Sequence, residues 1–148
     1  MRKKLIIVLL LILLFGITGR SKKEEKENDN KQINEVTNQM KIIINNEKYN
    51  IELEQNETVK ELLSILPIEL TMNELNGNEK YAYLDTSLSK DSIVPERINR
   101  GDVMLYGDNC LVLFYESFDT TYSYTKIGHV NDLPNLGKDS ITVKIDKE

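Results

Sequence analysis

From residue 40 onward, apolar residues recur mainly at every second position, which is the spacing of β-strands with one buried face. The first such stretch predicts a β-hairpin, in which residues 41–44 and 49–53 flank a turn at residues 45–47. A third strand is predicted over Ile68–Leu75, and a turn rich in Asn and Gly follows it at residues 76–80. The polar residues between the apolar ones indicate that one face of each strand is in contact with water.

A second predicted hairpin lies in the middle of the segment from residue 99 to residue 129. Two apolar runs, Asp102–Tyr106 and residues 110–115, are joined by the turn-forming Gly-Asp-Asn of residues 107–109. Six of the ten Tyr and Phe residues of the chain fall in the segment. We therefore expect this hairpin to supply both the middle of the core and the wall of any cleft.

One short helix is predicted over residues 58–66, and Pro67 ends it. Thr58 and Glu61 have the spacing of a capping box at its start, and its apolar residues fall on a single face. Residues 81–101 are expected to be irregular, and residues 127–137 to be a loop or a short helical turn. A closing strand is predicted over residues 141–145.

This pattern of six or seven short strands with one helix predicts a mainly β fold. We expect a small closed β-barrel, because closing the sheet on itself removes its exposed edges. The single helix is then expected to plug one open end of the barrel.

The N-terminal twenty residues have a different character from the rest of the chain. Three basic residues at positions 2–4 precede an unbroken apolar run at residues 5–15 and the small residues Gly16, Thr18 and Gly19, as in a secretory signal peptide. The alternative is a membrane-spanning helix, but residues 5–19 extend only roughly 22 Å as a helix, against a hydrocarbon core of roughly 30 Å. We therefore predict an exported, extracytoplasmic protein, either secreted or attached to the membrane.

The leader also has the shape of a bacterial lipoprotein leader, with one departure. Arg20 stands where the acylated Cys of a lipobox is expected. Three outcomes stay open: cleavage near Gly19, retention as an uncleaved anchor, or replacement of the cysteine in this particular chain. Residues 21–39 are highly charged and predict a disordered tether, so the folded domain is expected over residues 40–148.

Charge and cysteine content exclude several classes of partner. Beyond residue 20 the chain has 15 basic and 24 acidic residues, a net charge of −9, so nucleic acid is not an expected partner. The single cysteine, Cys110, excludes an intrachain disulfide and is expected to be a small buried apolar residue. No nucleotide-binding or metal-ligand motif is present, so we expect neither a cofactor nor a metal.

Three segments resemble the bacterial cyclophilin-like domain family: ELTMNELNGNEKY (69–81), GDVMLYGDNCLVLFYESF (101–118) and YSYTKIGHV (122–130). The resemblance covers about residues 40–146 and implies a small closed barrel like that of cyclophilin. True cyclophilins catalyse prolyl isomerisation with an arginine beside an apolar pocket, in a pattern such as F-x-M-Q-G-G-D. This chain lacks that pattern, and its candidate arginines are Arg97 and Arg100.

The strongest candidates for a ligand-binding cleft are Phe118, Tyr122 and Tyr124, because aromatic rings with polar tips suit peptides and small ligands. The alternative is that these rings simply fill the barrel. Further candidates are Met72, Asn73, Glu74 and His129. The first three lie at a predicted strand end, where an ordinary strand and turn would also explain them, and a lone His is more often structural.

Three functions follow from these observations. The preferred hypothesis is a non-catalytic module that binds an unknown peptide or small molecule. The second is an extracytoplasmic peptidyl-prolyl isomerase that uses Arg97 or Arg100. The third is an accessory to a flavodoxin-type redox partner, because members of the resembling family occur beside such domains.

Overall fold

The computed structural model describes residues 39–148. The predicted leader, and the predicted tether apart from its last residue, lie outside the described residues. The described part contains eight strands and one helix: β1 Met40–Ile44, β2 Glu47–Leu53, α1 Glu57–Ile65, β3 Ile68–Leu75, β4 Glu79–Tyr83, β5 Asp102–Tyr106, β6 Cys110–Phe114, β7 Thr125–Val130 and β8 Ile141–Lys147. The helix of the described residues is not long and apolar enough to cross a membrane.

The eight strands form a closed antiparallel barrel. Their order is β1-β2-β7-β5-β6-β4-β3-β8, and β8 pairs again with β1. Each strand therefore has a hydrogen-bonded neighbour on both sides, and no sheet edge is left open. The predicted fold class, a mainly β closed barrel with one short helix, is confirmed.

The two predicted Asn-rich turns set the register of their hairpins. Asn45 and Asn46 both have positive φ angles (52° and 65°), and Asn76 and Gly77 repeat this conformation (58° and 72°). Two consecutive residues with positive φ match the right-handed twist of the flanking strands, and Asn and Gly adopt this conformation most readily. The predicted bounds of β3 are confirmed.

Two strands were missed in the sequence. β4 was assigned to a turn and an irregular segment, and β7 was mostly assigned to a loop. β4 starts directly after a three-residue turn, and Lys80 occupies one of its inward positions, which hides the alternation. β7 contains Gly128 and His129, both weak strand formers, but it is held by β2 on one side and β5 on the other. Tertiary pairing overrides local preference in both cases.

The predicted capping box of the helix is wrong. Asn56 is the N-cap residue, and its side chain accepts a hydrogen bond of 2.9 Å from the Val59 backbone N–H. Thr58 instead donates to the Ser89 carbonyl at 2.6 Å, and Glu61 accepts from the backbone N–H and the hydroxyl of Ser89. These two side chains therefore fasten the loop after β4 to the helix.

The helix contributes to the interior core of the barrel. Val59, Leu62 and Leu63 on its apolar face are buried in one cluster with the inward residues of the strands. Leu66 follows the helix as its C-cap and is buried in the same cluster. The helix thus closes the barrel interior from one end, as predicted.

A second core lies outside the barrel. Leu111 and Leu113 of β6 belong to the interior cluster, whereas Cys110, Val112 and Phe114 belong to a separate cluster on the outer face. The second cluster also contains Ile98, Met104 and Tyr124, with Tyr81 and Phe118 packed against it. β6 is therefore buried on both faces, which explains its continuous apolar sequence. The prediction that Cys110 is buried is confirmed.

Lys80 is a fully buried charged residue of the barrel. Its Nζ donates to the carbonyls of Gly137 at 2.9 Å and Asp139 at 2.7 Å, and it lies 5.1 Å from the centre of the Tyr115 ring. Burial lowers the pKa of this amine, and the nearby Glu74 and Asp139 oppose that effect. The buried amine fastens the loop before β8 to the barrel.

Replacing Gly128 with Ala is expected to destabilise the barrel by about 3 kcal/mol, because overpacking a tight contact forces the backbone to move. An added Cβ would lie 2.4 Å from the Glu52 carbonyl oxygen of the neighbouring β2. Denaturant unfolding measures the change. The control is Gly107→Ala, which has a positive φ of 63° but nothing within 4 Å of the new Cβ, so about 1 kcal/mol is expected. Equal losses at the two positions would contradict the close approach of β2 and β7.

Candidate ligand-binding cavity

The floor of the candidate site is the outer face of three neighbouring strands, β4, β6 and β5. Tyr81 of β4 is paired with Val112 of β6, which is paired with Met104 of β5. One step along, Tyr83, Cys110 and Tyr106 form a second row. Because side chains two apart on a strand share a face, these rows and Glu79 at the start of β4 all lie on one side of the sheet.

The segment between β6 and β7, residues 115–124, crosses over this floor, and we call it the cover segment. Isolated backbone bridges pair Phe118 with Ile98 and Tyr124 with Ile93. The ring of Phe114 contacts those of Phe118 and Tyr124, with centroid distances of 5.7 and 5.5 Å. The cover segment is thus held by a few backbone hydrogen bonds and by aromatic packing on the outer core.

Between the floor and the cover segment is a cavity of about 610 Å³, within the size range of small-ligand sites. Six aromatic rings contribute to its lining. The full lining, which we call the tyrosine cavity, consists of Leu75, Asn76, Asn78, Glu79, Tyr81, Tyr83, Tyr106, Cys110, Val112, Phe118, Asp119, Thr120, Thr121, Tyr122 and Tyr124.

Burial shifts the ionisation of three groups in the cavity. It raises the pKa of the Glu79 carboxyl, and the negative charge of Glu74 raises it further. Burial, with a smaller effect of Glu79, also raises the pKa of the Cys110 thiol, and raises that of Tyr124 to about 12. At neutral pH the thiol and the phenol are therefore uncharged, and Cys110 is not an activated nucleophile.

Asn78 connects the cavity to the turn between β3 and β4. Its backbone carbonyl accepts from the N–H groups of Tyr115 and Glu116 at 2.9 and 3.3 Å. Its side-chain oxygen is buried, yet no donor within residues 39–148 reaches it. Buried polar atoms nearly always have a partner, so this oxygen is an exception among the described residues.

Of the predicted cleft residues, Phe118, Tyr122 and Tyr124 are brought together in the cavity. Glu74 lies beside it, where its side chain accepts hydrogen bonds from the Gly77 N–H and, at 3.1 Å, from the Tyr115 hydroxyl.

Met72 and Asn73 lie apart from the tyrosine cavity. Met72 is 1% exposed and belongs to the interior core. Asn73 accepts a hydrogen bond of 3.1 Å from the Ser140 hydroxyl, across the strand pair β3 and β8. Neither side chain is among the described lining of the cavity. At the end of β3, the residues that line the cavity are therefore Leu75 and Asn76, which follow the predicted ones in sequence.

His129 also lies away from the cavity and forms a polar contact within the barrel wall. Its Nδ1 is 2.9 Å from Oδ1 of the buried Asp102, and Oδ2 of Asp102 accepts from the Asn99 N–H at 2.8 Å. The imidazole packs against Gly101, where an added Cβ would lie 2.9 Å from His129 Cε1. The Gly-Asp and Gly-His pairs of the sequence thus meet in one structural cluster that joins β5 to β7.

The two candidate arginines have different surroundings. Arg100 donates to the carbonyls of Tyr115, Leu133 and Pro134, so its guanidinium joins two loops. Arg97 pairs with Asp119 at 2.7 Å, and Asp119 lines the cavity. In the described lining itself there is no arginine.

The sequence reasoning missed the half of the cavity that the barrel strands provide. Glu79, Tyr81 and Tyr83 alternate along β4, and this spacing is the signal that would have placed them on one face. Assigning residues 76–80 to a turn concealed that alternation. As for metals, no group of three His, Cys, Asp or Glu side chains in residues 39–148 is arranged to hold an ion.

The model of the cyclophilin-like family matches residues 42–146, which is most of the chain and nearly all of the described part. The chain belongs to the cyclophilin-like family. The matched range begins in β1 and ends in β8, so the family unit is the complete barrel with the cover segment. The resemblance seen in the three sequence segments is thereby confirmed.

One solved structure with a similar fold is the solution structure of a hypothetical protein from Archaeoglobus fulgidus. The two chains are 19% identical with a TM-score of 0.57, and the match covers 74% of this chain and 94% of the other. At this identity the similarity concerns the fold alone. No curated protein is significantly similar in sequence to this chain.

Replacing Glu79 with Gln is expected to raise the melting temperature at neutral pH by a few degrees. A carboxyl with a raised pKa costs stability as the pH rises from its ordinary value of 4.5 through the folded-state value, because the unfolded chain loses the proton first. The gain should therefore vanish below about pH 4. Thermal unfolding from pH 3.5 to 7.5 measures it.

The control for this variant is Glu54→Gln, which removes the same charge from an exposed position directly after β2. Its melting temperature should differ little from that of the unmodified chain across the same pH range. A Glu79→Gln variant that is less stable at neutral pH would show that the carboxylate is favourably paired in solution.

Proposed function

We propose that this chain is an exported cyclophilin-like domain protein that binds a peptide or small ligand in the tyrosine cavity without catalysing a reaction on it. The observation that carries the proposal is the cavity itself, whose lining combines six aromatic rings with a half-buried carboxylate. Concave sites with aromatic walls and a few polar groups are typical of ligand-binding sites.

The exposed aromatic residues at the cavity support binding rather than packing. Tyr83 and Tyr122 are 65% and 63% exposed. Burying such large rings would stabilise the folded chain, so their exposure is not explained by packing. Tyr106 is 47% exposed, and its ring lies 6.3 Å from that of Tyr122. A ligand would remove these rings from water and gain the burial energy that the free protein leaves unused.

The absence of catalysis is inferred from the chemistry of the lining. Cys110 and Tyr124 have raised pKa values and stay protonated at neutral pH. Asp102, paired with His129, and Arg100, bound to three carbonyls, are both engaged in structural contacts away from the cavity. Prolyl isomerisation is the second candidate, because Arg97 reaches the cavity through Asp119.

A screen of neutral aromatic fragments and short peptides by two-dimensional NMR is expected to shift resonances that map to the cavity lining. Tyr122→Ala should weaken a fragment that binds there about tenfold, because one well-packed aromatic contact is worth about 1.4 kcal/mol. Tyr49→Ala is the control, since Tyr49 lies on β2 and bonds to Glu47 outside the cavity. Shifts spread evenly over the surface, or none at all, would contradict a binding function.

The same protein tests the isomerase alternative. A coupled proline-peptide assay is expected to show no rate above background. Isomerase activity that disappears in Arg97→Ala, while fragment binding is retained, would contradict the non-catalytic proposal and support prolyl isomerisation.

Export is tested by expressing the full chain in a bacterial host and measuring the mass of the product by fraction. We expect a product cleaved near Gly19 in the extracytoplasmic fraction, because residues 1–19 have the layout of a signal peptide. Arg20→Cys restores the lipobox and should move the product to the membrane with an added lipid mass. An uncleaved chain confined to the cytoplasm would contradict the proposed export.

A further inference from the structure

The aromatic rings of the tyrosine cavity are combined with negative charge. Glu79 and Asp119 contribute to the lining, and none of the described lining residues is Lys, Arg or His. Asp119 is already paired with Arg97. Glu79, in contrast, forms none of the salt bridges found within residues 39–148. It is therefore the charge that a ligand would meet.

The basic residue next to Glu79 in sequence does not neutralise it. Lys80 is fully buried on the inner side of β4, where its amine is bound to the carbonyls of Gly137 and Asp139. The nearby carboxylate of Glu74, which lies opposite Lys80 in the β3–β4 pair, adds a second negative charge that acts on Glu79. A half-buried carboxylate beside another carboxylate is unfavourable in the free protein unless a cation approaches it.

Tyrosine rings of the floor and of the cover segment line the same cavity as this carboxylate. Tyr81 and Tyr83 follow Glu79 at two-residue spacing on the same face of β4. Tyr106 lies with its centroid 5.6 Å from that of Tyr124 and 6.3 Å from that of Tyr122. The faces of such rings attract organic cations, and a group of rings around a cation is a recognised mode of binding.

The unsatisfied oxygen of Asn78 is buried beside the cavity, and a turn of this side chain toward a ligand would favour a cation that carries hydrogens. Asn78 precedes Glu79 directly and belongs to the cavity lining, and its buried Oδ1 accepts nothing from the described residues. A primary ammonium has three N–H donors, enough for a carboxylate and an amide oxygen together. A quaternary ammonium has none.

We propose that the ligand of the tyrosine cavity carries a primary ammonium group, on a small amine or on a lysine side chain, which binds Glu79 between the tyrosine rings. The inference rests on the proposed binding function and specifies its ligand class. The charge of the chain agrees with it, because beyond residue 20 the net charge is −9, which attracts cations over long range.

The test compares charged ligands with neutral partners of the same shape. The chain is titrated with pentylammonium chloride against pentanol, and with N-acetyl-lysine amide against N-acetyl-norleucine amide, while the tyrosine ring resonances are followed by NMR. The charged member of a pair is expected to bind about tenfold more tightly, from the combined attraction of the carboxylate and the rings. Sodium chloride at equal ionic strength serves as the reference for each titration.

Matched variants assign this preference to one carboxylate. Glu79→Gln should remove the advantage of the charged ligand over its neutral partner, whereas Glu54→Gln should preserve that advantage. Glu79→Gln is expected to fold at least as well as the unmodified chain, because it removes an unfavourably buried charge. A preference for the lysine derivative over pentylammonium assigns the ammonium to a peptide, and the reverse assigns it to a free amine.

Three results would overturn the inference. Equal binding of charged and neutral partners would remove the ammonium and leave the proposed binding function standing. A charge preference that survives Glu79→Gln would place the cation elsewhere. Failure of all four compounds to move the cavity resonances would also overturn it, and the fragment and peptide screen then decides the proposed function separately.

Discussion

The burial of β6 on both of its faces is the constraint from which the rest of the structure follows. Leu111 and Leu113 point into the barrel interior, and the alternating residues Val112 and Phe114 belong to the outer core. A strand of this kind has no side in contact with water, so each neighbouring layer must be covered. The barrel covers one side, and the cover segment covers the other. Without the cover segment, Phe114 and Val112 would be exposed and the cavity would be open to solvent on its outer side.

The neighbouring residues Glu79 and Lys80 show how the same strand separates opposite charges. Strand geometry sends them to opposite faces of β4, so the ammonium enters the barrel and the carboxylate faces the cavity. The ammonium finds two carbonyls and a ring, and its burial is compensated by these contacts. The carboxylate has no such compensation among the described residues. One face therefore binds its charged group by internal contacts, and the other leaves its charged group without a salt bridge among the described residues.

The sequence predicts those parts of the fold that depend on local chemistry. Asn45, Asn46, Asn76 and Gly77 mark their turns because few other residues adopt positive φ without strain, and the alternation in β3 shows its bounds. It does not predict β7, because Gly128 is chosen for the close approach of β2 and not for strand propensity. For the same reason Thr58 and Glu61 were misread: their partner, Ser89, is 31 and 28 residues away.

The sequence predicted the cavity residues of the cover segment but not those of the barrel floor. Phe118, Tyr122 and Tyr124 stand out in sequence because aromatic residues in a polar segment have no strand to explain them. Tyr81, Tyr83 and Tyr106 stay hidden because they also suit ordinary strands. The two groups differ mechanically as well. The floor belongs to a closed hydrogen-bonded barrel, whereas the cover segment is joined to the loop before β5 by two isolated bridges. Local opening requires less free energy where fewer contacts are lost, so a ligand entering the cavity would displace the cover segment more easily than the strand that carries Glu79.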